Sequence, residues 1–298
     1  MKQILVVAFG MAAVTLSCQA PKENTGDAAD TVAVDTVAKS PVSLALKWET
    51  DSVLTTCESV IYDPRRNMLY VSNINGQPDA KDKNGFISKI TPEGQVSEVQ
   101  WVKGLDAPKG MGISGDKLYV TDIDRVVEVD LNNGKITKTF AVQGAKFLND
   151  IAVDGKGRIF VSDMAAGNIL LIEGGKLSKW LENVPGPNGL FAQDSTLVML
   201  SWDKKSINTI DMGTKQTTEK TTGIENLDGV EYLGDNSYIV SSWNGMIHYV
   251  DKDWKSRLLL DLRADSVNSA DIEYIEARNL LLVPTFFKNT VRAYEVKR

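Results

Sequence analysis

The 298-residue sequence contains one histidine, two cysteines and no excess of basic residues. A single histidine excludes every zinc motif that needs two imidazoles, and two cysteines exclude a disulfide scaffold or a multi-cysteine zinc site. Because 33 Lys and Arg stand against 39 Asp and Glu, the chain lacks the basic surface that binding to nucleic acid requires. A hydrophobic content of 43% with 24% charged residues is that of a globular protein rather than a disordered or fibrous one.

The amino-terminal segment has the pattern of an export signal. Lys2 precedes an apolar run over residues 4–16, which is shorter than the roughly 20 residues that span a bilayer. The run ends at Leu16-Ser17-Cys18, which resembles a bacterial lipoprotein signal, whose cysteine becomes lipidated. We therefore predict a signal peptide over residues 1–17, lipidation at Cys18, and a bacterial cell-envelope protein, periplasmic or on the cell surface, that meets the membrane only through this anchor. The alternative is a secreted protein with an incidental cysteine.

The next segment, residues 18–43, is rich in Ala, Thr, Asp, Lys and Pro and has no aromatic residue. Such a composition cannot bury enough apolar surface to offset the entropy of ordering. We interpret it as a flexible tether in front of one folded domain over residues 44–298. Within that domain Cys57 has no possible disulfide partner and is predicted to be a small buried core residue.

The folded part contains a sixfold repeat with a period of about 40 residues. Each segment has a polar first residue, an alternating apolar strand, a turn, and a second apolar strand ending in Ser, Thr or Asp. The segments begin at Glu58, Lys109, Asn149, Asn188, Asp228 and Asp271. Two further strand signals follow in each unit, joined by turns such as Asn-Gly and Gly-Gly. This pattern predicts an all-β protein, a six-bladed β-propeller with four-stranded blades.

The ends of the chain are predicted to close the ring. The last segment, from Asp271 to the carboxyl end, has room for only three strands, while a strand signal over residues 44–49 precedes the first segment. This N-terminal strand can complete the last blade and leave no long open sheet edge.

Equivalent residues of the repeats should form rings around the central channel. Five of the six first-position residues carry a side-chain oxygen, and Glu58, Asn149, Asn188 and Asp228 together offer two carboxylates and two amides. An all-oxygen set suits a hard divalent cation such as Ca²⁺, Mg²⁺ or Mn²⁺. These residues could instead be local caps at strand starts.

Lys109 complicates the predicted metal site. Its ammonium could pair with Glu58 and replace the cation, or Asp271 on the other side of Glu58 could hold Lys109 away. Trp202 and Trp243 close equivalent strands in adjacent blades. They either pack between blades, which we favour, or form part of a rim that binds a ligand.

Over about residues 50–298 the sequence resembles the senescence-marker-protein/gluconolactonase (regucalcin-like) family of six-bladed propellers. The resemblance is strongest at residues 149–163, at Pro187-Asn188-Gly189-Leu190 and at Asp228-Gly229-Val230. It implies a divalent metal, often Ca²⁺, held by Glu58, Asn149, Asn188 and Asp228. Phe147 stands where lactonases of sugar acids often carry an arginine, so the substrate-binding surface, in which we include Phe147 and Asp271, is expected to be more apolar.

These observations predict a divalent-metal-dependent hydrolase of a lactone or related ester, acting on a small molecule as a monomer. Asp228, or else Glu58, would be the proton acceptor, and Lys109 would stabilise the developing oxyanion. The alternative is a non-catalytic, envelope-anchored propeller that binds a ligand or a partner.

Overall fold

The computed structural model describes residues 42–298, and these residues form a six-bladed β-propeller. Each blade is a four-stranded antiparallel sheet whose first strand is innermost, as the sequence predicted. The predicted signal peptide, Cys18 and the tether up to residue 41 lie outside the described residues. Within the described range no helix is long and apolar enough to cross a bilayer.

The first three blades follow one another along the chain. Blade one contains β2 (Cys57–Asp63), β3 (Met68–Asn73), β4 (Gly85–Ile90) and β5 (Val96–Leu105). Blade two contains β6 (Pro108–Ser114), β7 (Lys117–Asp122), β8 (Arg125–Asp130) and β9 (Ile136–Ala141). Blade three contains β10 (Leu148–Val153), β11 (Ile159–Asp163), β12 (Asn168–Glu173) and β13 (Lys176–Glu182).

The last three blades complete the ring. Blade four contains β14 (Pro187–Gln193), β15 (Thr196–Ser201), β16 (Ser206–Asp211) and β17 (Thr217–Thr222). Blade five contains β18 (Leu227–Gly234), β19 (Ser237–Ser242), β20 (Met246–Val250) and β21 (Ser256–Asp261). Blade six contains β22 (Glu273–Ile275), β23 (Leu280–Pro284), β24 (Val291–Lys297) and β1 (Ser43–Glu49), and the helices among the described residues are two 3₁₀ turns, Arg263–Asp265 and Glu276–Arg278.

The ring closes as predicted, because the N-terminal strand is the outermost strand of blade six. β1 pairs antiparallel with β24, from Ser43 opposite Lys297 to Glu49 opposite Arg292. The sheet order β1-β24-β23-β22 therefore joins the two ends of the described chain. This pairing covers the edge that a three-stranded blade would leave exposed.

Six hydrophobic clusters among the described residues are each shared by two neighbouring blades, and a seventh joins residues from several blades, including Ile74, Ile123 and Phe286. The cluster between blades one and two, for example, joins Tyr70 and Ile87 to Leu118 and Val120. Side chains that alternate along each strand face a neighbouring sheet on either side, so apolar residues are needed on both faces. Cys57 belongs to the cluster between blades six and one, as predicted for a core residue.

A β-bulge interrupts the innermost strand in each of the first five blades, next to the first-position residue. In β18, for example, the register shifts between Leu227 and Val230, so Asp228 and Gly229 leave the regular ladder. The same shift occurs in β2, β6, β10 and β14. Bulges re-aim side chains, and here they lie where the first-position residues meet the channel.

The glycine that follows several first-position residues reflects the crowding of strands near the axis. A Cβ on Gly189 would collide with the backbone oxygen of Asp228 in the next blade. The Asn-Gly and Asp-Gly pairs at these positions therefore mark close approach of two backbones rather than hairpin turns.

Candidate functional site

First-position residues from five blades line one cavity of about 250 Å³. Glu58, Lys109, Asn149, Asn188 and Asp228 lie on the innermost strands β2, β6, β10, β14 and β18. They are separated by 170 positions along the chain from first to last (228 − 58) and are brought together by the ring. The other lining residues are Ile74, Pro78, Phe147, Met164, Trp202, Trp243 and Phe286.

The sixth blade differs from the prediction by one residue. Ser241 Oγ donates a hydrogen bond to the Ala270 carbonyl, as Thr121 Oγ1 donates to the Asn149 carbonyl between blades two and three. Ala270 is thus the structural equivalent of Asn149, and Asp271 occupies the second position. The ring of first positions has an alanine in blade six, where the sequence pattern suggested a carboxylate.

The two asparagines present their oxygens, not their nitrogens, as free groups. Asn188 Nδ2 donates to the Leu227 carbonyl at 2.8 Å and lies 3.4 Å from Asp228 Oδ1. Asn149 Nδ2 contacts Met164 Sδ at 3.9 Å. With each nitrogen used in this way, the side-chain oxygen is left as the atom available to a cation.

Two buried oxygens in this cavity have no hydrogen-bond partner among the described residues: Glu58 Oε2 and Asn188 Oδ1. Both residues are almost completely buried, at 5% and 1% exposed. A buried acceptor without a partner is destabilising, since its lost hydration is not replaced. An oxygen-seeking cation would satisfy both atoms, so the residues present fit a divalent metal.

The electrostatics of the cavity point the same way. Burial, and then the nearby Asp228 carboxylate, raise the pKa of Glu58 well above its usual range. Burial, and then the Asp150 carboxylate, raise the pKa of Asp228 to about 8. Two carboxylates that resist ionisation together would both ionise beside a doubly charged cation.

The candidate site is not built from acidic, histidine and cysteine side chains alone. Across residues 42–298 no group of three or more His, Cys, Asp or Glu side chains is arranged to hold a metal. The candidate set has only two carboxylates, and its other two oxygens belong to asparagines, as the sequence pattern proposed.

Lys109 lies in the cavity wall but its ammonium contacts groups other than Glu58. Its Nζ donates to the Pro78 carbonyl at 2.7 Å and to the Ala107 carbonyl at 3.0 Å. The Nζ also lies 4.5 Å from the centre of the Phe147 ring. Burial lowers the pKa of Lys109 to about 8, and the charge of Glu58 opposes this shift. Lys109 thus ties the insertion that contains Pro78 to the cavity and leaves Glu58 Oε2 unpaired.

The two residues predicted to bind substrate are separated by the structure. Phe147 lines the 250 Å³ cavity, whereas Asp271 lines a second cavity of about 630 Å³. This second cavity is formed by later residues of the innermost strands, including Asp150, Glu231 and Glu273. Ser59 Oγ donates to Asp271 Oδ2 at 2.7 Å, so this carboxylate bridges blades one and six.

The second cavity contains buried carboxyl groups that lower the free energy of unfolding at high pH. Burial raises the pKa of Glu273 to about 8, and Glu273 Oε1 accepts a hydrogen bond from the Tyr62 N–H. The unfolded chain releases this proton near pH 4.5 while the folded chain retains it, so this group lowers stability progressively from about pH 4.5 to 8. We expect Glu273→Gln, which keeps the acceptor, to raise the free energy of unfolding by about 1–3 kcal/mol at pH 8 and by much less at pH 4.5.

Urea unfolding of both proteins at the two pH values measures this difference. Glu276→Gln, at an exposed position, is the matched control and should change stability little at either pH. A Glu273→Gln effect that is equal at pH 4.5 and 8 would contradict a titration origin.

A second set of six equivalent residues was not predicted as a ring from the sequence; five of them line the 250 Å³ cavity, and the sixth, Ile123, lies in the hydrophobic cluster that contains Ile74 and Phe286. In five blades the member of this set is the residue directly after the second strand, and in blade six it is two residues after β23. We call this ring the apolar collar; it consists of Ile74, Ile123, Met164, Trp202, Trp243 and Phe286. Trp202 and Trp243 line the cavity rather than serving only as packing between blades. The sequence did contain a pattern that could have predicted this ring: in the first five blades an apolar residue follows the Ser, Asn or Asp that ends the second strand.

Comparison with known proteins supports the fold. No protein-family profile matches the sequence, and none of the curated proteins does. Among solved structures, the chain is similar to a streptogramin B lyase, at 13% identity over 86% of this chain and 98% of that one, with a TM-score of 0.61. Virginiamycin B lyase from Staphylococcus aureus is 15% identical over 85% and 99% of the two chains, with a TM-score of 0.61.

A third similar structure has been assigned provisionally as a gluconolactonase. It is 14% identical over 87% of this chain and 93% of that one, with a TM-score of 0.64. The chain therefore has a gluconolactonase-like propeller fold. At such identities the likeness concerns the fold, and function must be argued from the site itself.

Proposed function

We propose that the protein is a divalent-metal-dependent hydrolase of a lactone or related ester, with Ca²⁺ as the expected metal. The observation that carries this proposal is the pair of buried, unpartnered oxygens, Glu58 Oε2 and Asn188 Oδ1, in a cavity that also contains Asp228. Glu58, Asn149, Asn188 and Asp228 would hold the cation. When bound, it supplies a Lewis acid for the substrate carbonyl and lowers the pKa of water.

The protein's own residues have distinct tasks in this proposal. Asp228 accepts the proton of the attacking water on a carboxylate oxygen, since buried carboxylates are the available bases in this cavity. Asn149 and Asn188 use their side-chain oxygens to hold the cation and thereby position the substrate. Lys109 contributes positive charge near the developing oxyanion, while its hydrogen bonds to Pro78 and Ala107 keep it fixed.

Removing the metal is the direct test. We expect protein treated with a chelator to lose lactone hydrolysis, and added Ca²⁺ to restore it, with Mg²⁺ and Mn²⁺ compared in parallel. A Ca²⁺ concentration of 100 times the Kd should stabilise the fold by about 2.7 kcal/mol. Because Glu58 and Asp228 must both ionise, the affinity should rise with pH towards and beyond pH 8.

Calorimetric titration, thermal unfolding and a lactone panel measure these effects. Turnover that is unchanged by the chelator would contradict metal-dependent hydrolysis. Tight Ca²⁺ binding with no turnover across the panel would favour the alternative, a non-catalytic propeller that binds a small molecule or a partner.

The proposed cellular location depends on residues outside the described range. We propose that the protein is a monomer held at the bacterial cell envelope by a lipid on Cys18, with the residues between Cys18 and Val42 as a tether; Val42 and Ser43, which the sequence assigned to the tether, belong to the folded domain. The hydrophobic segment and the cysteine in the sequence support this proposal.

A further inference from the structure

The apolar collar gives the 250 Å³ cavity two chemically different ends. Its polar groups come from the first-position ring, whereas its remaining lining residues are apolar or aromatic, with Pro78 among them. Trp243 packs edge to face against Phe286, with ring centres 5.6 Å apart. Phe287, 61% exposed, packs against both rings at 6.1 and 4.7 Å.

Two collar residues have a backbone conformation that their side chains disfavour. Ile123 and Phe286 have φ values of 60° and 48°, and both belong to the cluster that also contains Ile74 and Ala270, with Trp243 packed against it. β-branched and bulky residues rarely adopt positive φ, and such conformations persist where the surrounding structure holds them. The fold thus holds Phe286 in the cavity lining, and Ile123 in the cluster behind it, in spite of local backbone preference.

The geometry points to a substrate with an apolar alkyl substituent on its lactone or ester group. This inference rests on the proposed function, and it adds the class of substrate: the carbonyl lies against Glu58, Asn149, Asn188 and Asp228 while the alkyl chain lies against the apolar collar. A cavity of this volume accommodates a small molecule but not a folded partner segment. The polyhydroxylated chain of a sugar lactone would lose hydration against the collar without gaining hydrogen bonds.

Chain-length dependence tests the inference. For γ-lactones with substituents from methyl to hexyl, we expect kcat/KM to rise by about fourfold per methylene, which corresponds to about 0.8 kcal/mol of transferred apolar surface. Trp243→Ala should reduce this increment to less than about twofold per methylene. Trp101→Ala is the matched control. Trp101 lies on the outer strand β5, where it packs against Tyr70, and it is not part of the cavity lining.

Binding of the corresponding γ-alkyl lactams separates this inference from the proposed catalysis. These probes keep the ring and the chain but resist hydrolysis, and calorimetry in the presence of Ca²⁺ should show the same increment in affinity for the wild type. If lactam affinity rises with chain length while no lactone is hydrolysed, the hydrolase proposal fails and the role of the collar stands. If lactones are hydrolysed at rates independent of chain length, the collar inference fails and the hydrolase proposal stands.

Folding of the variants is checked by urea unfolding, and Trp202→Ala provides a second collar variant if Trp243→Ala is unfolded. If neither the kcat/KM for lactones nor the affinity for lactams changes with chain length in the wild type, the inference is overturned. An unchanged increment in a folded collar variant would overturn it as well.

Discussion

Asp228→Asn is expected to weaken Ca²⁺ binding by at least about 100-fold and to abolish measurable lactone hydrolysis. Asparagine keeps the shape of the side chain and an oxygen, but it removes one of two negative charges and the proposed proton acceptor. The same substitution should have the opposite effect on the metal-free fold. Since burial, and then the Asp150 carboxylate, oppose ionisation of Asp228, replacing this carboxyl group by an amide should raise the Tm in the presence of a chelator.

The sign reversal is the informative result, because general damage to the fold would lower the Tm under both conditions. Calorimetry gives the affinity, and thermal unfolding with Ca²⁺ or with a chelator gives the two Tm shifts. Glu231→Gln is the matched control: Glu231 is also a channel carboxylate of β18, but it lines the 630 Å³ cavity. Wild-type Ca²⁺ affinity in Asp228→Asn would show that the first-position ring is not the metal site.

A chain that begins at Thr50 is expected to lose about 3–6 kcal/mol of stability relative to one that begins at Val42, or not to fold at all. The deletion removes the backbone hydrogen bonds between β1 and β24 and the packing of Trp48 against the core. It also removes Glu49, which bonds both Thr290 and Arg292. β24 would then become an exposed edge strand.

Urea unfolding and light scattering of the two purified chains measure this effect. The chain that begins at Val42 retains the complete strand β1, Ser43–Glu49, and is the control for truncation itself. Equal unfolding midpoints for both chains, without aggregation of the shorter one, would contradict a stabilising role for the ring-closing strand.

Much of the fold could be predicted because it repeats. A turn every few residues and a strand pattern about every 40 residues leave few ways to arrange four-stranded sheets. The ring-closing strand followed from counting, since the last segment was one strand short. Glu58, Asn149, Asn188 and Asp228 could be selected for the same reason, because equivalent positions of a closed ring must converge on its axis.

The position of Asp271 could not be predicted in this way. The innermost strand of blade six begins only at Glu273 and pairs in regular register, unlike the bulged strands of the other five blades, and a sequence pattern does not distinguish Ala270 from Asp271 as the first position. The partners of Lys109 could not be predicted from the sequence either. Its ammonium donates to the carbonyl of Pro78, in an insertion, and to that of Ala107, just before its own strand. Charge alone had suggested Glu58.

The number of blades, the closure of the ring and most of the residue types that face the channel could be predicted from the sequence, because these depend on periodicity and strand count. Three features could be seen only in the folded protein: the oxygens that lack partners, the two cavities, and the five apolar residues from five blades that line one of them. Such features depend on distances between residues in different blades. Those distances are set by the packing of one sheet against the next rather than by any local pattern.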